Sequence, residues 1–528
     1  LFFFNFCIHM NQLFAGLDIS TQGAKFVVID LLSESLEYTD TLNYDNDLPE
    51  FGTLNGVITK DEDGASESDP IMWITAVEHL FKKAFDQKFP LSHIKEISVS
   101  GQQHGLVALD RNGNLAHPLS KLWNDFSTTD ECEWLTEKIG GRKAMIDEVS
   151  NTQRTGYTAP KILHLFRNYP DNYRKTETLF LVHNYINWYL TGGIIAMEPG
   201  DTSGMALWNP VTSSWSKRLL MSIAPDLRKK LPPVTPSNRS IGKISGEFVE
   251  LFGFSSDCMV DAGSGDNMYG AIGTGNTVPG IVTISLGTSG TAYTIMEEPY
   301  VDPSGEIACF CDSTGNYLPL LCVSNMASGY DNFIRENSIT HDQFDEIISL
   351  TVPGNNGKVM VPWFNGERTP DIPMATPIYF GFGTGDFQKK TIARGLLEGH
   401  VLNLYNGFCK LPVSPTVIHL TGGLSRSRSW CQAIADIFHC ETVPIKGEGA
   451  AMGAALHAAW VWKNENETNV PITDISSPFI KFNNSLRSIP DKRSADMYHG
   501  LKELYKAIVF RFQGIESEDP FQLRKNLL

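Results

Sequence analysis

Leu13-Phe14-Ala15-Gly16-Leu17-Asp18-Ile19-Ser20-Thr21-Gln22-Gly23 is an apolar strand running into a tight loop of Gly, Ser and Thr, and residues 24–30 return as a second strand. The same grammar recurs at Ile281-Val282-Thr283-Ile284-Ser285-Leu286, then Gly287-Thr288-Ser289-Gly290, then 291–296. Aligned on their final glycines, Asp18 falls opposite Ser285, Thr21 opposite Thr288 and Gly23 opposite Gly290, so the first copy alone carries an acid. Each hairpin opens a half of the chain in which strand and helix patterns alternate. The sequence therefore predicts two similar α/β domains that face each other across a cleft. Their boundary is expected at Ile272-Gly273-Thr274-Gly275-Asn276-Thr277-Val278-Pro279-Gly280, where Gly and Pro crowd together. This gives a first domain over 11–276, a second over 277–465 and a helical tail over 466–528, in which 495–512 has the pattern of an amphipathic helix. The Pro-rich Leu231-Pro232-Pro233-Val234-Thr235-Pro236 reads as an internal loop, because apolar strand patterns resume after it.

A chain of 528 residues with 42% apolar and 20% charged residues has the composition of a globular protein with ample core. A net charge of -17 argues against nucleic acid or an anionic membrane as a partner, since both require clustered Lys and Arg. A small anionic ligand would need a locally built site. Nine cysteines without a C-x-x-C pair read as reduced thiols of a cytoplasmic protein rather than a disulfide framework. Cys309 and Cys311, two apart on a strand, share one face and read as core rather than metal ligands. Residues 1–10 are apolar, lack the basic start and cleavage site of a secretory signal, and are too short to span a bilayer. With Met10 just before the first strand, residues 1–9 read as foreign to the native protein. Oligomeric state, a homodimer included, is not readable from the residues.

Tight turns of Gly, Ser and Thr aim successive backbone N–H groups into one concavity and add hydroxyls, which is how an uncharged loop binds phosphate. One such hairpin is ordinarily structural. Two opposed copies can grip one polyphosphate, and the lone acid, Asp18, can hold a magnesium ion through water. The expected polyphosphate ligands, which the resemblance described below makes those of ATP, are Ser20 and Thr21 in the first loop and Gly287, Thr288 and Ser289 in the second. Val417-Ile418-His419-Leu420 followed by Thr421-Gly422-Gly423-Leu424-Ser425 and a helical pattern is a strand-to-helix turn whose paired glycines let a flat ring approach, although a plain connection reads equally well. Downstream, Gly449-Ala450-Ala451-Met452-Gly453-Ala454-Ala455 reads as tight helix packing. In Met259-Val260-Asp261-Ala262-Gly263-Ser264-Gly265-Asp266-Asn267 a strand enters a glycine loop ending in Asp-Asn before a helix. Asp266 is then either a helix N-cap, worth about 1 kcal/mol of stability, or a general base, worth roughly 100- to 10,000-fold in rate. Gly101-Gln102-Gln103-His104-Gly105 and Trp123-Asn124-Asp125 follow predicted strands and offer the amides, imidazole and indole that bind sugar hydroxyls and faces.

Taken in order, Asp18-Ile19-Ser20-Thr21, Gly101 to Gly105, Trp123-Asn124-Asp125, Gly265-Asp266-Asn267, Leu286 to Gly290, Gly366-Glu367-Arg368-Thr369-Pro370 and Thr421-Gly422-Gly423 resemble the FGGY carbohydrate kinase family, over about residues 13–460. That family contains glycerol, gluconate, ribulose and xylulose kinases. The resemblance implies two duplicated actin/hexokinase-like, ribonuclease H-like domains with ATP in the interdomain cleft. Within the family, Gln103-His104 matches the xylulose kinase pattern, where glycerol kinases carry an Arg-Glu pair. The resemblance further implies sugar contacts at Gln103, His104, Trp123, Asn124, Asp125 and Asn267, a proton acceptor at Asp266, and adenosine against Gly422 and Gly423. Two departures stand out: Ser20 where many members have Gly, and His164, after Tyr157-Thr158-Ala159-Pro160-Lys161, where a Trp is usual.

The implied reaction is in-line transfer of the γ-phosphoryl of MgATP to the terminal hydroxyl of D-xylulose, giving the 5-phosphate, with slow ATP hydrolysis when no sugar is present. Two other readings remain open. One is a kinase for another ketose or polyol of the family, such as sedoheptulose or ribulose. The other is a catalytically silent actin-like sensor of sugar or nucleotide, against which stands the presence of both Asp18 and Asp266.

Overall fold

Strand β1 (Leu13–Ile19) is buried along almost its whole length, as an apolar run covered on both faces should be. It pairs antiparallel with β2 (Gly23–Asp30), which pairs antiparallel with β3 (Ser35–Asn43). On its other side β1 runs parallel to β4 (Ile94–Gly101). Beyond β4 lie β5 (Ser240–Lys243) and β6 (Met259–Asp261), and the short β7 (Ser264–Gly265) continues along the end of β4. The mixed sheet therefore runs β5-β6-β4-β1-β2-β3. The computed structural model describes residues 12–58, 64–467 and 469–528. The reading of residues 1–9 and Met10 lies outside the described residues.

The chain divides into two compact units. One holds the residues up to Thr277 together with Cys309–Tyr317 and Gly447–Ile480; the other holds Val278–Ala308, Leu318–Lys446 and Lys481–Leu528. In the first, α1 (Pro70–Asp86) starts where the Asp69 carboxylate accepts the Ile71 N–H and Pro70 takes the first helical position. Its buried stripe of Trp73, Val77, Leu80, Phe81 and Ala84 follows the helical period, and the Phe81 ring meets Phe26, Phe248 and Phe254 edge-on. Helices α2 (Val182–Thr191) and α3 (Asp266–Gly273) complete the layers used below.

The second unit repeats the plan. Strands β8 (Ile281–Leu286), β9 (Gly290–Thr294) and β10 (Tyr317–Val323) form an antiparallel meander. Next to β8, β11 (Val417–Thr421) and then β12 (Thr442–Lys446) run parallel, and β13 (Lys481–Phe482) closes the edge antiparallel. Helices α4 (Lys389–Phe408) and α5 (Arg428–Phe438) cover this sheet around buried Trp363 and Trp430. Helix α6 (Ala450–Asn466) belongs to the first unit, and α7 (Ala495–Phe512) to the second, with the bounds its pattern predicts.

The small residues of α6 let it lie directly on β1. A Cβ on Gly16 would fall 2.0 Å from the Ala451 carbonyl oxygen, and one on Gly453 would fall 1.8 Å from that of Tyr269 on α3. The packing reading of this segment therefore holds. The two hairpins differ by one loop residue: the last pair is Ile19 with Ala24 in the first and Leu286 with Gly290 in the second. Asp18 and Ser285 thus correspond, as aligned, but Gly290 stands opposite Ala24 rather than Gly23, because the first loop carries the extra residue. Cys309 and Cys311 are both buried, their N–H groups donating to Asn151 Oδ1 and Ser203 Oγ at 2.9 and 3.0 Å. Among the described residues no group of His, Cys, Asp and Glu could by itself hold a metal ion, and no helix is long and apolar enough to cross a membrane.

Candidate active site

Parallel strands deliver their following loops to one edge of a sheet, the usual place for a ligand in an α/β unit. In the first unit the register sets this out residue by residue. Asp18 pairs with Ser100 across β1 and β4, Ile19 with Gly101, and Gly101 in turn with Gly265. The first hairpin loop, the loop after Gly101 and the loop ending at Asp266 therefore share one edge.

Asp18 Oδ1 accepts the Ser100 hydroxyl at 2.6 Å. Burial holds its carboxyl above the ordinary range, while the Ser100 hydrogen bond and the Lys25 charge pull the other way. Ser20 closes its own loop, its N–H and hydroxyl both donating to the Gly23 carbonyl at 3.0 and 2.8 Å. The Thr21 hydroxyl donates to Gln102 Oε1 at 3.1 Å and accepts from Trp123 Nε1 at 2.9 Å. Gln102, passed over in favour of Gln103 in the sequence, is thus the buried residue that ties the hairpin to the strand edge, with its Nε2 3.4 Å from the Ser20 carbonyl.

Asp266 is the first residue of α3. Gly265 occupies the cap position and no side chain caps the helix, so the N-cap reading of Asp266 does not apply. Burial pushes its carboxyl up to about 8, helped by the negative charges of Asp18 and Asp201 and opposed by the N–H groups of Asn267 and Gln103. Asn267 Nδ2 donates to Gln103 Oε1 at 2.8 Å and reaches Asp266 Oδ1 at 3.2 Å. Gln103 Nε2 is buried without a hydrogen-bond partner, which leaves a donor available beside Asp266.

His104 has a left-handed backbone, φ 69°, unusual outside glycine. Its carbonyl accepts Lys161 Nζ at 2.7 Å and the Thr158 hydroxyl at 3.4 Å, and its ring lies 4.7 Å from that of Tyr157. Lys161 is buried, and burial pulls its ammonium down to about 7. Asn124 Oδ1 accepts the Ser66 hydroxyl at 2.7 Å. Asp125 is fully buried, with Oδ2 accepting the Ser66 N–H at 2.9 Å and facing Lys121 at 3.3 Å, and Oδ1 taking both groups of Ser127. His164 stands beside Asn168 and 3.5 Å from Glu131.

The sequence reading missed the groups that stand behind this edge. Asp201 lies in the short turn Pro199–Thr202, its carboxylate buried and without a hydrogen-bond partner, its Oδ2 3.2 Å from His183 Nδ1 on α2. Beside it, buried Glu198 accepts from the Gly200 and Asp201 N–H groups and from the Ser237 and Ser264 hydroxyls. Two acids three residues apart, Glu198 and Asp201, in the otherwise uncharged stretch 192–216 were the available signal.

In the second unit the hairpin and the glycine turn also share an edge, Ser285 of β8 pairing with Thr421 of β11. Gly422, at φ 87°, packs so closely on the end of β8 that a Cβ would sit 2.6 Å from the Leu286 carbonyl oxygen, whereas Gly423 is exposed and faces open space. Gly287 N–H donates to the Ser289 carbonyl at 3.2 Å, and the Thr288 carbonyl accepts the Met326 and Ala327 N–H groups at 3.0 and 3.2 Å. The Glu367 carboxylate holds that same segment: Oε1 accepts the Ser324 and Arg368 N–H groups at 2.5 and 2.7 Å, and Oε2 the amides of Asn325 and Asn403.

The family model described as the N-terminal domain of the FGGY family of carbohydrate kinases matches residues 13–273, and the one described as its C-terminal domain matches 282–462. A xylulose kinase of Haemophilus influenzae is 32% identical over 504 residues, covering 93% of this chain and 98% of that one. Xylulose kinase 2 of Arabidopsis thaliana is 29% identical, covering 88% and 90%. The crystal structure of ligand-bound xylulose kinase from Lactobacillus acidophilus superposes with a TM-score of 0.84 at 22% identity, over 95% of this chain and 98% of that one, a likeness of fold. Both halves of the edge geometry thus fall inside the two matched domains, and the chain belongs to the FGGY family of carbohydrate kinases.

Proposed function

We propose that the chain phosphorylates D-xylulose to D-xylulose 5-phosphate with MgATP. The observation that carries this reading is Asp266: a carboxyl raised to about 8, joined through Asn267 to the amide of Gln103 at the edge where Asp18 also lies. The names of the relatives favour xylulose among the family's sugars. In the reaction the terminal hydroxyl oxygen of the ketose forms a bond to the γ-phosphorus, the bond from that phosphorus to the β,γ-bridging oxygen breaks, ADP leaves, and the hydroxyl proton passes to the Asp266 carboxylate. Gln103, His104 and Asn267 orient the open-chain sugar, with Trp123 and Asn124 bordering it. Asp125, whose oxygens are already engaged, fixes the Trp123 loop. The hairpins at Ser20 and Thr21 and at Gly287, Thr288 and Ser289 hold the phosphates, and Gly422 and Gly423 admit the adenosine.

A magnesium ion fits this donor set. Asp18 is a single carboxylate beside a second acid, the arrangement that suits a cation which keeps its waters and shares phosphate oxygens. When bound it supplies positive charge to the phosphates.

The test is an ADP-release assay with D-xylulose, L-ribulose, sedoheptulose, gluconate and glycerol, on the wild type and Asp266→Asn. The proposal expects the highest kcat/KM with D-xylulose and a loss of at least about 100-fold in the variant. Another preferred sugar would refute the substrate and leave the base. No turnover of any sugar, with ATP still raising Tm, would favour the silent sensor.

A further inference from the structure

In the second unit a cavity of about 570 Å³ opens between α4 and α7, away from the hairpin and glycine-turn edge. Its size is that of a pocket for a small organic molecule. Rings of Tyr405, Tyr505 and Phe510 line it, together with the ammonium groups of Lys410, Lys502 and Lys506. Lys410 is committed to Glu306. Among the described residues, Lys502 and Lys506 have no carboxylate at ion-pair distance. They lie one helical turn apart on α7, so both project to the same side. Lys502 Nζ stands 4.5 Å from the Tyr405 ring centre and donates to the Ile437 carbonyl at 3.1 Å; Lys506 Nζ is 5.5 Å from the Phe510 ring centre. Lys502 is half-buried and rests on a ring face and one carbonyl, with the Glu503 carboxylate on the cavity lining acting on it without an ion-pair contact, while Lys506 is exposed and holds its charge at the cavity mouth. Burial accordingly holds the Lys502 ammonium below its ordinary range.

The cavity wall also leads to the second hairpin through groups of this unit alone. The Tyr505 hydroxyl donates to Asn403 Oδ1 at 3.2 Å, and Asn403 Nδ2 donates to Glu367 Oε2 at 2.8 Å. Glu367 receives the Ser324 N–H, and two residues on, Met326 and Ala327 bind the Thr288 carbonyl. Thr369 and Pro370, at the end of the Glu367 segment, themselves form part of the wall.

We propose that this cavity is a regulatory binding site for a small organic monophosphate carrying a flat ring, its dianion held by Lys502 and Lys506 and its ring laid against Tyr405 and Phe510, and that occupancy changes the nucleotide affinity of the Thr288 hairpin. Lysine serves phosphate as a point charge, and the aromatic lining accounts for the ring.

Cys409 provides the readout: it lines the cavity and is the exposed one among the described cysteines. The probe is phenyl phosphate, with phenol and inorganic phosphate as separate arms, and the measurement is the rate of Cys409 alkylation followed by peptide mass spectrometry. At ten times its Kd the probe should slow alkylation about tenfold by mass action. Lys502→Met/Lys506→Met should weaken probe binding about tenfold or more while Tm stays within a few degrees. With the probe bound, Kd for ADP should change by a factor of about 5 or more. No protection of Cys409 in the wild type overturns the site without reference to any variant. Equal protection by inorganic phosphate overturns the ring, equal protection in the folded double variant overturns the lysines, and protection that grows with protein concentration alone shows that a second copy covers the cavity. An unchanged Kd for ADP overturns the regulatory role. The footprint reads the same whether or not the chain phosphorylates D-xylulose.

Discussion

The carboxyl of Asp266 is pushed up by burial and by the charges of Asp18 and Asp201, so at neutral pH it is largely protonated in the protein without ligands. A base must be ionised to accept a proton, so kcat/KM should rise with pH and level off above about 8. Lower pH should not raise it anywhere in that range. Stability runs the opposite way: a carboxyl whose folded pKa lies above its unfolded value contributes stability below the unfolded pKa, and this is lost as pH rises through the folded pKa. Asp266→Asn should therefore have a Tm at pH 8 at least equal to that of the wild type while losing at least about 100-fold in rate, which a merely structural Asp would not do. Lys161 supplies a second prediction. Its ammonium, facing Asp125, Lys121, Asp201 and Cys132, is drawn down to about 7 by burial, and it holds the carbonyl of left-handed His104. Lys161→Met should raise the sugar KM about tenfold or more through loss of that charged hydrogen bond, with Tm unchanged or higher because a buried charge is removed. Steady-state kinetics beside calorimetry separates the two effects; a fall in Tm with KM unmoved would contradict it.

At the scale of the element, the hairpins and their glycines were legible because they are local. A strand, a turn and a returning strand lie within about twenty residues of sequence, and their chemistry is written in Gly, Ser and Thr. The one-residue difference between the loops was not legible, since composition does not say which residue closes a turn; the pairing of Ile19 with Ala24 and of Leu286 with Gly290 does. Similarly, Gly422-Gly423 reads as one motif, yet its members have different surroundings. Gly422 is clamped on the Leu286 carbonyl at a positive φ, and Gly423 faces open space. Gly422→Ala should destabilise the second unit by roughly 1 kcal/mol or more, through φ strain and the clash on β8. Gly423→Ala should leave Tm unchanged and weaken only ADP binding, because its methyl group would occupy the open face that we propose for the adenosine. Thermal unfolding with and without ADP distinguishes the pair, and equal loss of Tm in both variants would contradict the assignment.

For the whole molecule, the duplicated plan could be read from the repeated hairpin, but the path of the chain between the units could not. Nothing local marks α6 as a partner of β1, since the contact depends on small residues more than 400 positions apart, Gly16 on one side and Ala451 on the other. The same holds for Cys309–Tyr317, which returns to the first unit. These two returning segments meet at buried His457. Its Nδ1 lies 2.8 Å from Asp261 Oδ2 and its Nε2 2.9 Å from the Ser313 carbonyl, so both ring nitrogens face acceptors, a setting that favours the doubly protonated ring. Burial alone would pull this imidazole down; the Asp261 carboxylate holds it above its ordinary range. A fragment ending at Thr277 would leave the Gly16 face of β1 bare and Asp261 buried without its cation, a loss of about 3 kcal/mol or more for the broken pair alone. Such a fragment should appear unfolded or aggregated by circular dichroism and gel filtration, whereas adding residues 447–480 through a flexible linker should recover cooperative unfolding. In the full chain His457→Phe should lower Tm most at pH values below about 6.5, where the raised imidazole contributes fully, and progressively less as pH rises through its folded pKa. A Tm difference independent of pH would mean that His457 acts by packing rather than by charge.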